Sequence, residues 1–156
     1  MTFLRDPVER AVSHFHHWRR HPNPADPVYR EIEAGPGGYS LDAFIRHPSL
    51  FDLYVRNLSP YGFDGLAFVG ITEQFDRSVA LLSRVLNVWV VKGIQRRNTN
   101  ADRQGKGYSI DAETRAIIEK NNAADVAFYR LASERFERDA TKALAKRRWV
   151  WPNRWR

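Results

Sequence analysis

The 156-residue chain contains no cysteine and a single methionine. The first absence excludes disulfides and thiolate metal sites, and it points to a reducing, cytoplasmic compartment. No apolar run approaches the ~20 residues that span a bilayer, and no signal-peptide pattern is visible. There is no internal repeat and no low-complexity stretch. What is present is enough for a real core. Hydrophobic residues make up 43% and aromatic residues 13%, values that exclude a disordered chain. The length suits one domain.

Positive charge is concentrated at one end. Residues 138–156 hold seven basic side chains against one acid, Asp139, which leaves only +1 of the net +7 for everything before them. We divide the chain into a folded unit, 1–145, and a basic, Trp-rich tail, 146–156. Lys146, Arg147 and Arg148 with Trp149, Trp151 and Trp155 make a tail that suits a nucleic acid, a membrane surface or a sulfated glycan. A frayed end is the plain alternative.

Hydrophobic spacing gives the elements. After a short opening strand, Pro7–Arg20 reads as a helix with Val8, Ala11, Val12, Phe15 and Trp18 on its core face. A helical turn is expected at 28–34, stopped by Gly35-Pro36-Gly37-Gly38. Ser40 and Ser49 would cap short helices over Leu41–Arg46 and Leu50–Asn57. Leu66–Val69 reads as a buried strand. Thr72 would cap a helix to Leu86 with Phe75, Val79, Leu82 and Leu86 inward. A second apolar run, Val88–Val91, predicts another strand. Residues 95–109 read as a loop, and helices follow over 111–120 and 123–145. Strands separated by helices argue for α/β, with few strands for so many helices.

The chemistry sits at the first strand-to-helix corner. In Arg5-Asp6-Pro7-Val8-Glu9-Arg10-Ala11-Val12-Ser13, Asp6 is a good N-cap, Pro7 suits the first helical position, and Glu9 would complete a capping box. Free N–H groups at a helix start favour a phosphate. Arg5 and Ser13 converge there as a cation and a hydroxyl. The competing reading is that Arg5 merely pairs with Asp6 or Glu9 and that Ser13 is an ordinary small helix residue.

The pattern R-D-P-x-x-R-x-x-S resembles the 3′-phosphate-binding segment of sulfotransferases that use 3′-phosphoadenosine 5′-phosphosulfate (PAPS). Downstream, Phe68-Val69-Gly70-Ile71-Thr72-Glu73-Gln74-Phe75-Asp76-Arg77-Ser78 is similar to a strand–Gly–Thr–Glu–helix segment of the carbohydrate-type branch. A third likeness joins Asn98, in a polar loop, to Asn122-Ala123-Ala124-Asp125-Val126-Ala127-Phe128-Tyr129. The ordered set covers most of the chain. The resemblance implies an α/β, P-loop-like sulfotransferase fold, here partial and helix-rich with a small parallel sheet remnant. It implies PAPS as co-substrate and no metal. It places Arg5 and Ser13 on the 3′-phosphate, with Arg96 and Lys106 as further nucleotide contacts from a basic loop. The family's Lys-Gly-Ser/Thr loop for the 5′-phosphosulfate has no counterpart in this sequence. That loop and the catalytic base are therefore expected upstream of Met1, and this chain alone is expected to be inactive.

Other side chains have plainer readings. His14, His16, His17 and His21 could in principle bind zinc, since His14/His17 and His17/His21 share helix faces, but no acid lies beside them to orient the rings. Glu73 suits the helix dipole. Asp125 and Tyr129 read as ties between the last helix and its neighbours, and Phe128, Leu131 and Phe136 as core. Three functions compete. The first is sulfuryl transfer to a hydroxyl or amine, on a carbohydrate, with an anionic glycan as acceptor. The second is a catalytically inactive nucleotide-binding or interaction module. The third is nucleic-acid binding through the tail, which would show a steep salt dependence. The family likeness names no nucleic acid as partner.

Overall fold

The computed structural model describes residues 1–88 and 107–145. Among the described residues two strands, β1 (Thr2–Leu4) and β2 (Val69–Ile71), and seven helices make an α/β unit rich in helix. The helices are α1 (Pro7–Arg20), α2 (Pro27–Ala34), α3 (Leu41–Arg46), α4 (Leu53–Leu58), α5 (Phe75–Leu86), α6 (Ala112–Asn121) and α7 (Ala123–Ala145). None of the described helices is long and apolar enough to cross a membrane. The expected strand beyond Val88, most of the polar loop and the tail 146–156 lie outside the described residues.

β1 and β2 pair in parallel with Thr2 opposite Val69, Phe3 opposite Gly70 and Leu4 opposite Ile71. The expected strand over Leu66–Val69 thus begins three residues late. Gly70, just past the expected strand, is inside β2 for a steric reason. A Cβ there would come within 2.8 Å of the Phe3 ring and 2.9 Å of Phe68. Only a glycine lets Phe3 lie across the sheet toward Phe68 and Phe75, at ring distances of 5.4 and 5.9 Å.

Two hydroxyls close the strand ends. Thr2 N–H donates to Phe68 O, so residues 68 and 70 face β1 while 69 and 71 face away. On that outer side, buried Ser78 donates to Ile71 O at 2.9 Å and accepts from Ile71 N–H at 2.8 Å. Beside β1, the Tyr54 hydroxyl does the same for Arg5, accepting from its N–H at 3.0 Å and donating to its carbonyl at 3.1 Å. Ser78 also sets the roll of α5. The buried positions are Ser78 and Leu81, and Leu86 is 44% exposed, so the inward face differs from the expected Phe75–Leu86 stripe.

Two cores result. One packs α1, α2, α3 and α6 around Phe15, Trp18, Tyr29, Tyr39 and Phe44, with Phe15 stacked on Tyr39 at 5.3 Å. The other packs the sheet against α5 and α7 through Leu4, Ile71, Leu81 and the row Ala132, Phe136 and Ala140. Val8, Ala11, Val12, Phe15 and Trp18 are buried as their spacing predicts. Leu131 is 49% exposed, a correction to its expected core role, because α7 turns Ala132, Phe136 and Ala140 inward instead. The helix expected over Leu50–Asn57 is also divided. A 3-10 turn, Pro48–Leu50, is capped by His47, and α4 starts only after Asp52, which takes φ +48°.

Candidate functional site

At the start of α1 the Asp6 carboxylate accepts from Val8 N–H and Glu9 N–H, both at 3.0 Å. Pro7 has no N–H, and Arg10 N–H donates to Asp6 O at 2.8 Å. The donors of the first turn are therefore all accounted for. The expected free N–H groups for a phosphate are not there, because the cap residue is itself an anion. The expected capping box is not formed either. Asp6 N–H donates to Glu73 Oε1 at 3.1 Å, and Glu9 turns away along the helix.

Glu9 meets Arg5 instead. Arg5 Nη2 donates to Glu9 Oε2 at 3.1 Å, and Tyr108 N–H donates to the other oxygen, Oε1, at 2.9 Å. Gly107 permits this approach, since a Cβ there would sit 2.8 Å from Oε1. The Arg5 guanidinium lies over the Tyr108 ring at 5.6 Å, and the His16 ring stacks on the same ring at 5.2 Å. Arg5 Nε is buried with no hydrogen-bond partner. Ser13 is half-buried in the helical row 9, 13, 16, one turn beyond Glu9. Arg5 is thus paired to Glu9, as the competing reading has it, and Ser13 follows Glu9 at the four-residue spacing of one helix side. The sequence signal for Glu9 was its position four residues after Arg5, the spacing at which helical acid–base neighbours meet.

Arg10, the second arginine of the motif, has a structural role. Its Nη2 donates to Asn122 Oδ1 at 2.8 Å and lies 3.6 Å from buried Asp125. Its guanidinium also covers the Tyr54 ring at 5.3 Å. Asp125 accepts from Tyr54 N–H and Val55 N–H, so it does tie α7 to its neighbours. Burial pushes its carboxyl pKa up, opposed by those two N–H donors and by Arg10. Tyr129 donates to Glu73 Oε2 at 2.9 Å, so Glu73 links the α1 start to α7. It lies in the first turn of Thr72–Gln74, as the dipole reading has it, and is a three-way tie as well.

His14 packs edge-on against Trp18 and Phe44, and the His17 and His21 rings lie 5.1 Å apart. No group of three or more His, Asp or Glu side chains placed to hold a metal occurs among the described residues. Arg96 and Lys106 lie outside the described residues. A cavity of about 620 Å³ lies between β2, α5 and α7, lined by Phe68, Val69, Leu81, Val85, Asp139 and Ala143 among others, away from Arg5 and Ser13. The chain matches no family model, no curated protein and no solved structure.

Proposed function

We propose that this chain is a nucleotide-phosphate-binding α/β unit whose ligand group is held at the β1–α1 corner. More specifically, we read it as the 3′-phosphate-binding part of a PAPS-dependent sulfotransferase. One observation carries the reading: the three separate segments that resemble that family come together in space. β1 pairs with β2. The Glu73 carboxylate then joins Asp6 of the first segment to Tyr129 of the third.

In this reading the Arg5 guanidinium supplies charge and the Ser13 hydroxyl donates a hydrogen bond, together fixing the ribose-linked phosphate. Sulfuryl transfer needs an in-line attack by the acceptor, a base for its proton and cations at the leaving phosphate. Arg5 and Ser13 act at the other end of the nucleotide, so their part is binding and orientation. The acceptor is a hydroxyl or amine, on a carbohydrate by family likeness, and the lack of cysteine suits a cytoplasmic setting.

Isothermal titration with adenosine 3′,5′-bisphosphate tests the grip. Saturable binding is expected, weakened roughly 10- to 100-fold in Arg5→Ala and less in Ser13→Ala, the range for charged and neutral hydrogen bonds. An affinity unchanged by Arg5→Ala overturns the reading. A sulfuryl-transfer assay with PAPS then separates an enzyme from a catalytically inactive nucleotide-binding module.

A further inference from the structure

We infer that Glu9 is a resident competitor for Arg5: its carboxylate holds the guanidinium until a phosphate displaces it, and the exchange is felt at the Tyr108 amide. The inference rests on the phosphate reading above and adds a regulation of that same site. The Arg5–Glu9 contact is a single bond, Nη2 to Oε2 at 3.1 Å, not a two-pronged pair. Both side chains keep a partial opening to solvent, 18% for Arg5 and 13% for Glu9, so an anion can reach them. Arg5 Nε, buried and without a partner, is a donor that the carboxylate leaves unused. A phosphate, with three oxygens in tetrahedral array, can take such a donor along with a terminal nitrogen.

A phosphate and the Glu9 carboxylate cannot share one guanidinium without like-charge repulsion. Any anion that spans Arg5 and Ser13 enters the row at the place where Glu9 now stands. Glu9 then has to leave Arg5, and its second oxygen is the acceptor of Tyr108 N–H. Tyr108 also carries the Arg5 guanidinium on its ring and stacks with His16. Occupancy of the corner is therefore transmitted to the Gly107–Tyr108 backbone. The cost to the ligand is a reduced apparent affinity, scaled by the fraction of molecules in which Arg5 is free.

The test compares wild type, Glu9→Gln, Arg5→Ala and the double variant in titrations with adenosine 3′,5′-bisphosphate. Glutamine keeps an acceptor for the Tyr108 amide and removes the competing charge. Glu9→Gln is expected to bind roughly three- to tenfold tighter than wild type, with the gain lost in the double variant. Equal or weaker binding by Glu9→Gln, with wild-type binding still dependent on Arg5, overturns the competitor and leaves the phosphate reading intact. Binding by none of the four, or binding indifferent to Arg5, overturns both. Should Glu9→Gln fail to fold, wild type alone decides. The Tyr108 amide resonance must move as nucleotide saturates an Arg5-dependent site, and a stationary resonance overturns the inference.

Discussion

His14 is a basic side chain that the fold keeps neutral. Its ring is packed against Trp18 and Phe44, and its pKa is lowered to about 4. Burial is the largest cause, followed by the charges of Arg10 and His17, with Asp26 opposing. In the unfolded chain the same ring titrates near 6.5, so acid draws protons onto the unfolded state first. Stability should therefore be unaffected by this group above pH 7. It should fall as pH drops from about 6.5 to about 4, by at most about 3 kcal/mol. Carboxylates titrate in the lower part of that window, so the informative measurement is a difference. The gap in Tm between pH 7 and pH 4.5 should be smaller in His14→Leu than in wild type, and an equal gap rejects the account. At this scale the sequence was readable where one residue's own helix decides its place, as for Phe15 and Trp18. It was silent where a distant side chain decides. Gly70 reads as lying past the strand until the Phe3 ring is laid over it.

Among the elements, α4 and α7 exchange caps. Asp52 precedes α4 yet makes no side-chain cap on it, and its Oδ1 instead accepts from Asp125 N–H in the first turn of α7 at 2.9 Å. Asp125 in turn accepts from Tyr54 N–H and Val55 N–H in the first turn of α4, at 3.1 and 2.9 Å. Two helix starts, each carrying partial positive charge, are thus neutralised by each other's carboxylates. The left-handed backbone of Asp52 turns its side chain off its own helix and permits the exchange. Asp125→Ala removes a buried carboxylate, the acceptor of two part-buried N–H groups and the partner of Arg10. The expected loss is about 3–5 kcal/mol, the range for breaking a buried pair from one side. Asp52→Ala removes one cap bond and should cost about 1 kcal/mol. Urea unfolding of both variants checks the order, and equal losses contradict the exchange. Asp125 was legible as a tie because an acid in a first turn must answer some N–H. Asp52 was not, because its partner helix is remote in sequence and its own helix is the obvious client. The same limit governs the candidate site. The Arg5–Glu9 pair could be read from its spacing, while Tyr108 reaches the corner only through the fold.

For the whole molecule the question is what makes two cores behave as one. α6 belongs to the first core through Ile118, and α7 belongs to the second through Ala132 and Phe136. One residue, Asn122, separates the two helices and is buried. Its Oδ1 accepts from Arg10 Nη2 of α1 and from Asp52 N–H before α4, at 2.8 and 3.2 Å. Its Nδ2 donates to Ile118 O at 2.9 Å. Every polar atom of the side chain is used, and its partners come from both sides of the seam. Asn122→Ala leaves an arginine nitrogen and a backbone N–H without this acceptor, at about 1–3 kcal/mol for each buried group. Sites joined by such a network act together, and cutting it exposes their separate stabilities. In wild type, amide exchange at Ile118 and at Phe136 should report the same opening free energy, that of global unfolding. In Asn122→Ala both should fall and the two should diverge, since each core then opens on its own terms. Divergence already present in wild type would mean that the cores are not coupled, and none in the variant that they are coupled elsewhere. The Arg10–Asp125 pair and the Asp6–Glu73–Tyr129 tie would then carry the coupling, and Asn122 would be a local cap alone.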